Sequence, residues 1–337
     1  MSQTILLTGV SGFIAKHVAL ALLQAGFTVR GTVRRMDRGE EVRRALAPHL
    51  DPAALDRLSF VQADLDADAG WAAAMPGVDT LVHTASPFPL AQPKNADELI
   101  RPAVDGTLRA LRAAHAAGVK RVVLTSSAIA IVPPETSGTY DESHWADPDA
   151  PSASAYAKSK ILAERAAWDF ASKNGLSLTT INPGLVLGAP LDGTFGSSVA
   201  LIQRILKGQD PMLPMIDFAV VDVIDVAAMH LAAVQRPQTG GKRYAAVAGS
   251  LMMVDIGRML KAQHPTRWIP TRAAPAILLR VLALFDSALA SVLPALNKTH
   301  AVRNDRAVAE MGIHFTPPEE AVKVTAEWLI KRGLVWA

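Results

Sequence analysis

The sequence predicts a doubly wound α/β fold, in which helices cover both faces of a parallel sheet and a smaller C-terminal lobe is added. Short β-branched runs alternate with longer helical patterns through the first half of the 337 residues. Several of these runs are apolar throughout, which is typical of strands buried on both faces of a parallel sheet. A glycine-rich turn joins the first strand to the first helix, as in a Rossmann fold.

The predicted elements follow one another closely along the chain. Strands are expected at Thr4–Thr8, Phe27–Val33, Leu58–Gln62, Thr80–His83, Arg121–Thr125 and Ser177–Ile181. Helical patterns lie between them at Gly12–Ala25, Glu40–Leu46, Ala96–Ala117 and Ala155–Lys173. Beyond Pro183 a helix is predicted at Ser197–Lys207, and Phe218–Val221 with Val226–Val234 is interpreted as a strand and a helix that return to the sheet. We assign residues 1–183 and 217–249 to the Rossmann domain, and residues 184–216 and 250–337 to a substrate lobe.

Composition excludes several classes of protein. Hydrophobic residues make up 50% of the chain, enough for a sizeable core, and the net charge of +3 is too small to indicate nucleic-acid binding. The chain has no cysteine, so disulfides, thiolate metal ligands and a cysteine nucleophile are excluded, and its histidines form no ligand pattern that predicts a metal. The most apolar run, Ala273–Leu296, is interrupted by charged residues and proline and predicts surface helices rather than a membrane span. With no signal-peptide pattern, we expect a cytoplasmic protein, monomeric or homodimeric, that binds neither membrane nor nucleic acid.

The turn after the first strand has the composition of a phosphate-binding loop. Glycine at positions 9 and 12 allows a tight turn and a close approach of the backbone to a pyrophosphate. The helix that follows presents free N–H groups and the positive end of its dipole to the anion. The predicted cofactor-binding residues of this segment are Thr8, Gly9, Ser11, Gly12, Phe13 and Ile14.

Arginine ends the second strand, where an NAD enzyme usually has an acidic residue for the ribose 2′-hydroxyl. Arg34 is therefore predicted to bind the 2′-phosphate of NADPH, and Arg38, one helical turn later, is predicted to complete a clamp. The expected cofactor is NADPH, or NADP+ in its oxidised form, with NADH less favoured. Arg43 and Arg44 are interpreted as part of a solvated helix face.

Two further strand ends supply predicted cofactor contacts. After the third strand, Asp64 can accept a hydrogen bond from the adenine amino group while Leu65 covers the ring, but an N-cap or turn role for Asp64 is as well supported. His83, at the end of the fourth strand, is interpreted as a packed, hydrogen-bonded histidine. The small residues that follow it, and that let a cofactor pass close to the backbone, are Thr84, Ala85 and Ser86.

A serine pair and a Tyr–Lys pair supply the groups that carbonyl reduction needs. Tyr156 and Lys160 share one helix face, where the ammonium is expected to lower the pKa of the phenol and to reach the nicotinamide ribose. Ser127, with Ser126 as the alternative, is predicted to donate to the substrate oxygen from the carboxyl end of the fifth strand, where ligands bind in open α/β sheets. Thr125, at the same strand end, is assigned to the cofactor. The predicted catalytic residues are Ser127, Tyr156 and Lys160.

The strings TGVSGFIA, Asp64-Leu65, TSSA and YAKSK, in this order, resemble the extended short-chain dehydrogenase/reductase family. The stretches VRGTVRR, HTASP, RPAVDGTLRAL, YDESHWAD, INPGLVLG and VDVIDVA are similar to its dihydroflavonol-reductase-like branch, which includes aldehyde and ketone reductases. The resemblance covers residues 3–235 well. It implies the same catalytic trio and NADPH selection by the two arginines. Cofactor contacts are also assigned to Pro183, Gly184, Leu185, Val186 and Ser198.

The sequence departs from the family in several places. Ala15 stands where most of the family has a third glycine, and its small side chain still allows close helix packing. Ala103 lies in the region where sugar-modifying relatives carry an asparagine that supports the lysine through water, so the proton relay is expected to differ. Residues 129–133 lack the polar residue of flavonoid reductases, and the signature of cinnamoyl-CoA reductases around the tyrosine is missing. These last departures argue against a plant-type substrate.

The expected activity is reduction of an aldehyde or ketone to an alcohol by hydride transfer from NADPH, with Tyr156 as proton donor. One alternative is a nucleotide-sugar epimerase or dehydratase that retains its NAD(P); the substrate pyrophosphate would require cations, and residues 176–235 contain only Arg204 and Lys207. The other is a non-catalytic NADP(H)-binding sensor, a class that commonly loses the tyrosine or the lysine. Predicted contacts of the apolar carbonyl substrate are Ser86, Phe88, Ser127, Ile129, Tyr156, Leu185 and Phe195.

Overall fold

The computed structural model describes residues 2–86 and 95–335. Its strands are β1 Thr4–Thr8, β2 Thr28–Val33, β3 Leu58–Gln62, β4 Thr80–His83, β5 Arg121–Thr125, β6 Gly138–Tyr140, β7 Ser177–Pro183, β8 Leu185–Leu187, β9 Asp217–Asp222, β10 Lys242–Ala246, β11 Gly249–Met252 and β12 His300–Val302. Its α-helices are α1 Phe13–Gln24, α2 Asp37–Leu46, α3 Pro52–Leu55, α4 Trp71–Ala74, α5 Asp97–Ala116, α6 Ala155–Asn174, α7 Ser197–Leu206, α8 Val223–Gln235, α9 Met253–Gln263, α10 Ala276–Leu282, α11 Ser287–Val292 and α12 Pro318–Lys331.

Seven strands form one parallel sheet in the order β10-β7-β5-β4-β1-β2-β3. The order reverses between β1 and β4, so the carboxyl ends of these two strands open the crevice in which such sheets bind ligands. Helices α1 and α8 pack on one face through an apolar core that includes Val18, Leu22 and Val226. Helices α5 and α6 pack on the other through residues such as Leu111 and Ala167. The predicted doubly wound Rossmann fold is confirmed.

A second, smaller sheet consists of β8, β9 and β11. It packs with α7, α9 and α12 around its own apolar core, and these elements form the second lobe. The prediction that Phe218–Val221 returns to the main sheet is wrong, because β9 pairs with β8 and β11 instead. The strand that does return is β10, beside β7. Sequence reasoning missed it because Lys242 and Arg243 begin it with two charges, which hide a buried strand from an apolar pattern.

The apolar run near the C-terminus forms α10, α11 and a turn of 3₁₀-helix, of which Ile277 and Val281 are half exposed or more. These helices are short, as the interrupted sequence predicted. Within the described part of the chain, no helix has the length and apolarity to cross a membrane. β6 and β12 form a separate two-stranded parallel pair at the side of the molecule.

Candidate active site

The glycine-rich turn at the end of β1 is tightly packed, and the helix it opens is uncapped. Gly9 has φ +64°, and a Cβ there would lie 2.9 Å from the Cβ of Ala85, so only glycine fits without strain. The Gly9 amide donates to Thr32 Oγ1 at 3.0 Å, which draws the end of β2 to the turn. Gly12 is the N-cap of α1 and offers no side chain to the first N–H groups of the helix. These amides and the helix dipole form a site suited to a phosphate.

Thr8 joins the ends of β1 and β4 beneath this turn. Its hydroxyl accepts from the amides of Thr84 and Ala85, each at 3.1 Å, and lies 2.8 Å from His83 Nδ1. Because the oxygen already accepts two N–H groups, its proton points at Nδ1, and His83 carries its own proton on Nε2. Burial, together with the nearby positive charge of Lys160, lowers the pKa of His83 to about 3. His83 is therefore a neutral, packed histidine, in agreement with the sequence analysis.

The arginines after β2 differ in how far they are already engaged. Arg34 is exposed and has no hydrogen-bond or ion-pair partner among the described residues. Arg35 binds Asp37, and Arg38 pairs with Glu41 at 2.6 Å. The Arg34 guanidinium is therefore not engaged by another described residue, whereas Arg38 would have to share or break an existing ion pair to bind a ligand.

The loop after β3 shows the turn role that the sequence left open for Asp64, and the adenine contact stays a prediction. Its Oδ1 accepts from the Asp66 amide at 3.2 Å, which is the bond of an aspartate turn. Leu65 packs closely on α5, where a Cβ on Gly106 would lie 2.9 Å from the Cβ of Leu65. Both side chains remain half-buried rather than buried, so each keeps a face toward solvent at the sheet edge.

Ser127, Tyr156 and Lys160 lie together where β5 ends against the first turns of α6. The side chains of Ser127 and Tyr156 are hydrogen-bonded to each other. The Lys160 Nζ lies 5.8 Å from the centroid of the Tyr156 ring. Ser154 caps this helix through its side chain, which fixes the turn that carries the tyrosine.

The protonation properties of this group depend mainly on burial. Burial raises the pKa of Tyr156 to about 12, although the hydrogen bond from Ser127 opposes the increase. Burial likewise lowers the pKa of Lys160 to about 8, against the attraction of the Glu164 carboxylate. Burial thus sets the direction of the Tyr156 pKa, and the lowering contribution expected from the neighbouring Lys160 ammonium stays a prediction.

The two adjacent serines differ in where their side chains point. Ser126 is buried, and its hydroxyl donates to Glu164 Oε2 at 2.5 Å. Ser127 instead faces Tyr156 and accepts from the Ile129 amide at 3.3 Å. Thr125, predicted to contact the cofactor, donates its hydroxyl to His230 Nε2 at 2.7 Å and so points its side chain toward α8.

The segment between β7 and β8 passes close to the second sheet. A Cβ on Gly184 would lie 2.2 Å from the carbonyl oxygen of Ala219, so the chain from Pro183 to Val186 has room only for glycine at this position. Leu185 and Phe195 pack against the apolar core of the second sheet, and so does Phe13 at the start of α1.

The remaining predicted contacts are less closely grouped. The Phe195 ring stacks edge to face on Trp328 of α12, with 5.8 Å between centroids, and Ser198 lies in the first turn of α7. Ile129 lines a small apolar pocket with Ala146 and Ala157. Ser86 is half-buried at the last described position before the gap, and Phe88 lies outside the described residues.

Sequence reasoning missed two ion pairs, each with a buried cation. Lys16, in the first turn of α1, is 2% exposed and binds Asp192 of the second lobe. Glu164, one turn after Lys160, binds Arg243 of β10. A charged residue at helical spacing from a predicted catalytic lysine is a signal for the second pair, but nothing in the sequence identifies its partner. Among the described residues, no group of three or more His, Asp or Glu side chains is placed to hold a metal.

The chain matches known families and structures along most of its length. The family model described as NAD dependent epimerase/dehydratase family matches residues 5–249. The chain is 33% identical to cinnamoyl-CoA reductase 1 of Petunia hybrida, covering 98% of this chain and 93% of that protein. It is 37% identical to ketoreductase azaE of Aspergillus niger, covering 79% and 83% respectively.

Two solved structures show the same architecture from end to end. Yeast methylglyoxal/isovaleraldehyde reductase Gre2, complexed with NADPH, superposes with a TM-score of 0.81 at 25% identity and covers 99% of this chain and 100% of its own. Gre2 from Candida albicans, also in an NADPH complex, gives a TM-score of 0.79 at 26% identity, with 98% and 99% covered.

Proposed function

Because the chain belongs to the NAD dependent epimerase/dehydratase family, the extended short-chain dehydrogenases/reductases, we propose that it is an NADPH-dependent reductase of aldehydes or ketones. The observation that carries this proposal is the hydrogen-bonded Ser127–Tyr156 pair, with Lys160 beside it, at the carboxyl edge of a parallel sheet. The same edge carries the uncapped phosphate turn, as expected for a cofactor that spans the two.

The residues present fit NADPH. The first amides of α1, which no side chain caps, would hold the pyrophosphate. Arg34, whose guanidinium has no described partner, would bind the 2′-phosphate, with Arg38 as a second cation. NADPH supplies the hydride when bound. The two Gre2 structures complexed with NADPH support this choice of cofactor.

The catalytic residues of the chain handle the substrate oxygen and its proton. Ser127 would orient and polarise the carbonyl, and Tyr156 would donate its Oη proton to the alkoxide that forms. The raised pKa of Tyr156, about 12, keeps the phenol protonated at neutral pH, so it is always ready to donate. An alkoxide is more basic than a phenolate, and the transfer is favourable. Lys160 stabilises the phenolate left behind and would hold the nicotinamide ribose.

The substrate is proposed to be a small apolar carbonyl compound. Leu185 and Phe195 belong to the apolar core of the second lobe. A nucleotide sugar would instead need cations for its pyrophosphate, yet Arg204, one of two cationic residues between positions 176 and 235, is held by Asp210 at 2.6 Å. This arrangement supports reduction of an external carbonyl over epimerisation of a nucleotide sugar.

The test is loss of reduced-nicotinamide absorbance with a panel of apolar aldehydes, ketones and α-ketoesters, run in parallel with NADPH and NADH. Turnover that clearly favours NADPH is the expected result. No turnover with any carbonyl, from protein that retains tightly bound nicotinamide through purification and converts a nucleotide sugar, would refute the proposal in favour of an epimerase. Cofactor binding with no turnover of either substrate class would indicate a sensor.

A further inference from the structure

A single buried carboxylate lies one helical turn behind the proposed catalytic lysine. Glu164 is 1% exposed, although it stands on the same face of α6 as Tyr156 and Lys160. A buried carboxylate is costly unless its oxygens are fully hydrogen-bonded. The contacts around Glu164 show how this protein meets that requirement.

Side chains from four elements converge on this carboxylate. Oε2 accepts from Ser126 Oγ at 2.5 Å and from Asn182 Nδ2 at 2.7 Å. Oε1 accepts from Arg243 Nε at 2.7 Å, and more distantly from Thr180 Oγ1 and Trp168 Nε1. The end of β5, β7, β10 and α6 are thereby joined at one point.

The Arg243 guanidinium binds backbone carbonyl oxygens and a tryptophan ring in addition to Glu164. Its NH1 donates to the carbonyl oxygens of Glu142 and His144, at 2.9 and 2.6 Å, and its guanidinium lies 3.7 Å from the centroid of the Trp145 ring. The arginine is 7% exposed and has little freedom to follow Glu164 if that side chain moves. The ion pair therefore holds the Glu164 carboxylate in a fixed position.

The network reaches the reacting groups by two routes. The amide of Asn182 that binds Glu164 also donates to the carbonyl oxygen of Ser127 at 3.2 Å, so the backbone of the proposed substrate-orienting serine is tied to α6. The other route is electrostatic, through Lys160. The titratable or charged groups that face Lys160 are His83 from β4 and Tyr156 and Glu164 from α6, with Arg243 of β10 behind Glu164.

We propose that Glu164 is a positioning residue of the carbonyl reduction proposed above: it holds the Ser127 backbone against the helix that carries Tyr156 and Lys160, and its negative charge keeps Lys160 protonated. Among the described residues that face Lys160, Glu164 is the anion, while His83 and Tyr156 are neutral at neutral pH. Glu164 stabilises the Lys160 ammonium and so opposes the effect of burial, which lowers the pKa of Lys160 to about 8.

The first experiment replaces Glu164 with glutamine and follows the titration of Lys160 by NMR of ¹³C-labelled lysine side chains, assigned with Lys160→Met. Glutamine has nearly the same shape but cannot attract the ammonium. We expect the midpoint of the Lys160 titration to fall by about one pH unit. The alkaline limb of kcat should move to lower pH by the same amount, because the ammonium form is lost as the pH rises through the pKa. An unchanged midpoint in folded Glu164→Gln would overturn the electrostatic part of the proposal.

Glu164→Gln leaves Arg243 as an unpaired buried charge, so a double variant, Glu164→Gln with Arg243→Met, removes both charges and keeps the test available if the single variant does not fold. The Lys160 midpoint should stay below the wild-type value in the double variant, but by less than in Glu164→Gln, because removing Arg243 also removes a nearby cation. The matched control is Glu310→Gln, which removes a carboxylate that binds Lys242 and Tyr244 of the same β10 strand, away from the site. It should leave the Lys160 titration and kcat unchanged.

The positional part of the proposal is tested by Asn182→Ser, which preserves every charge. We expect kcat to fall about 10- to 100-fold, with the NADPH Kd and the Lys160 midpoint unchanged. Wild-type kcat in this variant would overturn the positional role. The NMR titration needs no substrate, so it tests the charge of Glu164 even if the wild-type protein reduces none of the carbonyls offered, an outcome that would refute only the proposed function.

Discussion

Replacing Arg34 with alanine tests the proposed 2′-phosphate site at little cost to the fold. Arg34 is exposed and has no described partner, so its removal should leave the free energy of unfolding within about 0.5 kcal/mol of wild type. Charge-assisted hydrogen bonds to a phosphate contribute about 1.5–3 kcal/mol. We therefore expect the Kd for NADPH to rise about 10- to 150-fold and the Kd for NADH, which lacks this phosphate, to change less than about threefold.

Arg35 provides a matched control for this prediction. It is the next residue, is equally exposed, and differs in that its guanidinium is held by Asp37. Arg35→Ala should change the NADPH Kd by less than about threefold. Arg38→Ala should have an intermediate effect, because Arg38 must loosen its ion pair with Glu41 to bind a phosphate. Isothermal titration of both cofactors into each variant gives the comparison. Equal losses for NADPH and NADH in Arg34→Ala, or a larger NADPH loss in Arg35→Ala, would refute the assignment.

Three further perturbations test other parts of the argument. Tyr156→Phe should lower kcat at least about 10²-fold while the NADPH Kd stays within about threefold, because only the donated proton is lost; a wild-type rate would remove Tyr156 as the donor. Gly9→Ala should destabilise the protein by about 1–2 kcal/mol from the left-handed backbone alone, with the contact to Ala85 adding to it, as measured by chemical denaturation; an unchanged midpoint would show that the turn relaxes. Burial lowers the pKa of His230 to about 4, whereas in the unfolded chain the pKa is near 6.5. As the pH falls, the unfolded chain therefore binds the proton first, and the free energy of unfolding should fall by about 2 kcal/mol through this residue between about pH 7 and 5. His230→Gln should flatten the pH dependence by that amount, and an equally steep dependence would contradict the neutral buried state.

The half of the fold that the sequence predicted well is the half whose strands are apolar throughout. β1, β4 and β5 are buried on both faces, so their position in a parallel sheet was visible from composition, and the glycine turn with its following helix predicted where a phosphate would bind. β10 was not predicted, because its Arg243 is buried only through a partner 79 residues earlier. Such a pairing leaves no local pattern in the sequence.

The same distinction applies within the site. The spacing of Tyr156 and Lys160 predicted a shared helix face, which is a local property of any helix. Whether the Lys160 ammonium or the burial of the phenol dominates the Tyr156 pKa depends on how deeply α6 and the end of β5 bury the pair. That depth is a tertiary property. The different directions of the Ser126 and Ser127 side chains have the same origin, because Glu164 binds one of the two adjacent hydroxyls.

The order of strands in the main sheet also constrains how this protein is made. β10 is the last of the seven strands in the chain, yet it lies beside β7 and carries the arginine that neutralises Glu164. During synthesis α6 leaves the ribosome well before Arg243, and until then β7 is an open sheet edge next to an uncompensated carboxylate. Completion of the catalytic scaffold is therefore delayed until the last strand arrives, and a truncated chain that lacks β10 should be recognised by proteases as unfinished.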